Sequence, residues 1–108
     1  MPTKDYREDL LQRLADSEYA AVYLKAALDS TLEDGNTEAF LLALKNVVEA
    51  TGSTQKIASE SNISRQHLYR ILSGEGNPTL STLTSVLQAV GLTIDFKPAL
   101  KDSLPPQT

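Results

Sequence analysis

The chain is 108 residues long, 41% hydrophobic, free of cysteine and tryptophan, with one histidine and a formal net charge of −4. Such a length holds one domain, or one domain with an extension, and enough apolar side chains for a core. The missing cysteine excludes disulfides and thiolate metal sites, and one histidine among scattered carboxylates builds no metal centre, so neither metal nor cofactor is expected. No apolar run approaches the roughly 20 residues of a membrane span, and the charged opening MPTKDYREDLL is unlike a signal peptide, so a cytoplasmic protein is expected.

Residues 1–4 are expected to fray. Asp5 can cap a first helix over 6–15, with Tyr6, Leu10, Leu11 and Leu14 on one face. Asp16-Ser17 breaks that pattern and offers a new cap for a second helix over 18–33. Tyr19, Val22, Tyr23, Ala26 and Ala27 line one side of it and Leu24, Leu28 and Leu32 another, which predicts packing against more than one neighbour. Gly35 ends it. Asn36 caps a third helix over 37–51, striped by Phe40, Leu44, Val47 and Val48, and Gly52 stops it. Ser53 or Thr54 caps a fourth over 54–61. Ser64 caps a fifth over 65–73, closed by Gly74. After the turn-forming GEGNP, Thr79 caps a sixth over 80–90, with Leu80, Leu83, Val86, Leu87 and Val90 facing inward and Gly91 at its end. The period then changes: Leu92, Ile94 and Phe96 alternate with Thr93, Asp95 and Lys97, as in a short strand. A lone strand leaves edge groups without partners, and the same strand of a second subunit would supply them. Residues 98–108 read as a disordered tail.

The fourth and fifth helices carry the chemistry. A polar break at Ser61-Asn62 separates two short helices, the arrangement of a helix-turn-helix whose second helix enters a major groove. Ala58 is small where the two helices cross, Ile63 plugs the turn, and Leu68 and Ile71 anchor the second helix. That leaves Arg65, Gln66, His67, Tyr69 and Arg70 for solvent or DNA, with no acid among them. Arg65 can bond guanine through two acceptors and Gln66 can pair with adenine. Arg70 could reach a base or a phosphate. Thr54 and Gln55, with Ser53, stand at a helix N-terminus that suits a phosphate, and Asn77 is a further phosphate candidate. The same residues have plainer readings. Ser64 is a cap in any case, Tyr69 can pack beside the sixth helix, and His67, with no motif-placed partner, reads as a groove-edge residue rather than a catalyst. No nucleophile–base set, metal cluster or phosphate-binding glycine loop is present, so no enzymatic activity is expected. GEGNP follows a helix and carries no lysine.

Charge is uneven. Residues 1–38 hold nine acids and four bases, net −5, and residues 39–108 hold five acids and six bases, net +1. The acidic half suits a basic protein partner or forms a solvated helix surface.

The segment TQKIASESNISRQHLYRILSGEGNPTLSTLTSVLQAVGL resembles the Xre/phage-repressor class of helix-turn-helix. More narrowly, SRQHLYRILSGEGNPTLSTL followed by GLTIDF resembles the HigA-like addiction-module antidotes of bacterial type II toxin–antitoxin pairs, most specifically over 52–96. Asn62 stands where glycine is usual in the turn, and Gln55 lies three residues before Ala58 where four is usual. The resemblance implies an all-α, repressor-like core over 36–97 with an acidic helical extension over 1–35. It also implies two roles: neutralising a small, basic, RelE/ParE-like toxin by direct binding, and repressing its own operon as a homodimer on palindromic double-stranded operator DNA. Leu92, Ile94 and Phe96 are candidate dimer contacts, with the sixth helix or the N-terminal helices as alternatives. A stand-alone prophage-type repressor without a toxin, and an interaction module that has lost DNA binding, are the competing readings.

Overall fold

A computed structural model describes residues 3–74 and 77–99, with side chains from Tyr6 onward. Expectations for residues 1–2, for Glu75 and Gly76 of the turn, and for the tail from Leu100 lie outside the described residues. Six α-helices follow one another: α1 (Thr3–Leu14), α2 (Ser17–Asp34), α3 (Thr37–Ala50), α4 (Thr54–Glu60), α5 (Arg65–Leu72) and α6 (Leu80–Ala89).

Local capping chemistry sets most of these boundaries. The side chains of Asp16, Ser53, Ser64 and Thr79 accept from the backbone N–H groups of Glu18, Lys56, His67 and Thr82 at 3.0, 3.1, 3.0 and 3.1 Å. Each satisfies one of the four donors that a helix start leaves open. Between Ser53 and Thr54, the cap is Ser53. Asn36 occupies the cap position of α3 but its side chain makes no capping bond. The helix α1 begins at Thr3, upstream of Asp5, so Asp5 is a first-turn residue and not the cap.

The core gathers around α3. Leu44 and Val48 are wholly buried there, and Leu14 of α1, Ala20 and Leu24 of α2, Ile57 and Ala58 of α4, Leu68 and Leu72 of α5, and Val86 and Leu87 of α6 close around them. The helix α3 packs against α1, α2, α4 and α5, while α6 packs on α4. A polar network ties α1 and α2 to the same helix. Arg7 bonds Asn46 at 3.0 Å and pairs with Glu49, and Asn46 donates to the Tyr23 hydroxyl at 2.9 Å.

Three further expectations are not met within this chain. Among the described residues there is no strand: residues 92–99 form no helix, turn or bend, and no sheet. The reason is topological, because a ladder needs a second strand and every other described element is helical. Leu80 does not face inward but is 72% exposed, because it opens α6 one turn before the first half-buried leucine, Leu83. Tyr6 is likewise exposed, leaving Leu10, Leu11 and Leu14 to seat α1. The two-sided apolar surface of α2 does meet both α1 and α3. Part of it stays open, with Val22 68% and Leu32 75% exposed.

Candidate nucleic-acid interface

The helices α4 and α5 pack against each other through residues chosen for size and reach. Ala58 is buried at their crossing, and Ile63 donates its N–H back to the Ala58 carbonyl at 3.1 Å, which closes the connection. Asn62, between them, adopts φ 64°, the left-handed conformation that asparagine tolerates better than most side chains. Ser61 is buried, with its hydroxyl spent on the Ile57 carbonyl at 2.7 Å, so the turn leaves no orphaned polar side chain. At the other end of α5, Gly74 takes φ 87°, and a Cβ there would come 2.8 Å from Cγ of Glu38. The positive φ favours glycine, and a Cβ would also push the exposed Glu38 side chain aside.

Within α5 the division is sharp. Leu68, Ile71 and Leu72 are buried, and Arg65, Gln66, His67, Tyr69 and Arg70 are all exposed. Arg65 and Gln66 lie in the first turn, where a helix presented end-on to a groove makes its base contacts. The Arg65 guanidinium lies over the Tyr69 ring, 5.7 Å from its centroid, a cation–π contact one turn along the helix. Tyr69 therefore packs under Arg65, and α5 makes its helix contacts with α3 and α4. His67 lends its backbone N–H to the Ser64 cap and leaves its ring on the surface.

The start of α4 is the second cluster. Thr54 is half-buried, Gln55 is exposed, and the Ser53 hydroxyl is engaged as the cap. Lys56, exposed on the same first turn, was not singled out by sequence. Its signal was available, as the only base between Lys45 and Arg65. Asn77 is exposed but lines a different feature, a groove of about 840 Å³ between α2, the start of α3, α6 and residues 92–97. Leu92, Ile94 and Phe96 line that groove too, Ile94 half-exposed at 44% and Phe96 almost fully so at 89%.

The acidic half has its own geometry. Of its bases, Arg7 pairs with Glu49, Arg13 with Asp9 at 2.9 Å and Lys25 with Asp29 at 3.0 Å. The bond to Asp9 and its charge hold the Arg13 guanidinium above its ordinary pKa. Glu8, Glu18, Glu33, Asp34 and Glu38 are exposed and have no ion-pair partner among the described residues. The charge surplus of α1 and α2 therefore stands free at the surface.

A family model described as "probable addiction module antidote protein" matches residues 5–98. The chain belongs to that family. A protein of Haemophilus influenzae, named only as uncharacterized, is 37% identical over 89 residues, which is 82% of this chain and 84% of the relative. No solved structure matches the chain. The antidote match takes in nearly all of α1 and the five helices after it, the acidic ones as well as α4 and α5, and membership implies a toxin partner in general terms. No described helix is long and apolar enough to cross a membrane.

Proposed function

We propose that the chain is a HigA-like, Xre-type antitoxin that neutralises a small, basic, RelE/ParE-like toxin by direct binding and represses its own operon as a dimer on palindromic DNA. The observation that carries the DNA half is the exposed face of α5. Arg65, Gln66, Tyr69 and Arg70 stand there without an acid, on a helix fixed by its cap and by three buried side chains. In this reading α4 and α5 are the helix-turn-helix, and Arg65 and Gln66 read base edges. Arg70, His67, Asn77 and the Thr54–Lys56 turn meet backbone phosphates or the groove edge. Two copies would present their α5 helices about 34 Å apart, matching half-sites one helical turn apart.

The toxin half rests on the family and on charge. The free carboxylates of α1 and α2 give a basic protein an attractive surface, which chiefly raises its association rate. Co-expression with the adjacent open reading frame, followed by pull-down and growth rescue, tests that half, and a gel shift on the chain's own promoter tests the other. Promoter binding with no captured protein would favour the solitary prophage-type repressor.

A further inference from the structure

The two arginines of the α5 face are not held alike. Arg65 and Arg70 are both exposed there, and among the described residues neither has an ion-pair partner. Arg65 is nonetheless held, because the centre of the Tyr69 ring lies 5.7 Å from its guanidinium carbon. Arg70 has no ring against it among the described residues. The contact at Arg65 follows from helix geometry. Residues i and i+4 are neighbours, and a helical side chain leans back over the turn before its own Cα. Tyr69 therefore reaches the first turn of α5, where Arg65 stands. The backbone beneath the pair is fixed by the Ser64 cap and by buried Leu68, Ile71 and Leu72. Tyr69 itself is 41% exposed, so the pair sits at the surface on a rigid base.

How Arg65 is held decides what it can still do. Guanine is read by two N–H groups that lie in the guanidinium plane. A carboxylate partner would occupy those groups. An aromatic ring attracts the cation through its face and leaves the in-plane N–H groups open. A long side chain also loses rotamer freedom when it binds, and holding it beforehand lowers that cost. Arg70 has no such support. A phosphate contact, which fixes position and carries no sequence information, asks less of it.

We propose that Tyr69 is a positioning residue for sequence reading: its ring holds the Arg65 guanidinium in place to bond guanine, while the unsupported Arg70 meets a phosphate. The inference rests on the proposed repressor role and assigns a division of labour within its reading face. Tyr69 acts through Arg65 in this arrangement and need not touch DNA. Its hydroxyl is not required, because the ring face supplies the attraction.

Gel-shift titrations of the full chain test this, on its own promoter and on an unrelated duplex of equal length. Tyr69→Leu keeps apolar bulk but loses the ring face. It should weaken promoter binding about fivefold and leave both the unrelated duplex and the salt slope unchanged. Tyr69→Phe keeps the ring and should bind within about twofold of the wild type. In an Arg65→Ala background, Tyr69→Leu should cost nothing further. Arg70→Ala should weaken both duplexes alike and lower the salt slope by about one. Without DNA, a ring-current shift of the Arg65 Cδ protons in NMR spectra should appear in the wild type and in Tyr69→Phe, and vanish in Tyr69→Leu. Equal loss on both duplexes for Tyr69→Leu, or an unshifted Arg65 in the wild type, would overturn the proposal. So would a loss in Tyr69→Phe, which points to a hydroxyl contact, or a full further loss in the Arg65→Ala background, which points to a ring touching DNA itself. A promoter-selective loss for Arg70→Ala would overturn the division between the arginines. A wild type with no preference for its promoter would take the repressor reading and this role down together. A promoter-selective wild type unaffected by Tyr69→Leu would sink the role alone.

Discussion

The helices α5 and α2 solve opposite problems with similar materials. In α5 every large aliphatic side chain is buried and every polar one is exposed, so nothing apolar but part of the Tyr69 ring is left over. In α2 the aliphatic residues exceed what α1 and α3 can cover, and Val22, Leu28 and Leu32 remain at the surface. Under the proposed function, the difference matches what each surface would meet. A face with its apolar side spent and its cations free suits a hydrated polyanion, since phosphate and base contacts are polar and wet. A face with leftover leucines beside a groove and free carboxylates along its length suits protein partners, whose contacts gain from apolar burial.

Five substitutions break or sharpen that contrast. The largest effect is expected at Leu68, a wholly buried residue of α5. Leu68→Ala should cost about 2–5 kcal/mol of unfolding free energy in a urea titration, through lost transfer energy and the cavity left behind. Next, Arg65→Ala should leave stability nearly untouched yet weaken operator binding by about 1–3 kcal/mol and relax preference at one base pair in a gel shift. Unchanged promoter affinity would remove Arg65 from the reading face. By contrast, Lys56→Ala should weaken all DNA sequences alike and lower the salt slope by about one. Smaller again, Ser64→Ala removes the bond to the His67 N–H and should lower stability by about 1 kcal/mol. Smallest is Leu32→Ser, at a site 75% exposed. It should shift stability by no more than about 0.5 kcal/mol. A larger loss would mean that α2 is finished by the chain itself and is not left open for another protein.

Much of the helical plan was legible because its signals are local. Ser64, Thr79 and Asp16 mark helix starts through bonds reaching only two or three residues ahead, and Gly35, Gly74 and Gly91 mark ends through a positive φ that most side chains resist. Asn62 was readable for the same reason. So was the split within α5, where a 3.6-residue period separates Leu68, Ile71 and Leu72 from the polar set.

What only the tertiary structure decided depends on where neighbours stop. Leu80 and Leu83 share one stripe by sequence, yet Leu80, the first residue of α6, is exposed while Leu83 is half-buried. Tyr69 lies beneath Arg65, a pairing that the helical period alone does not state. Asn77 lines the groove with Leu28 and Phe96, residues far away in the chain. The alternation of residues 92–97 stated a strand's side-chain pattern, but a strand is a pairing. Periodicity belongs to one segment, whereas burial and pairing belong to whatever the fold brings beside it.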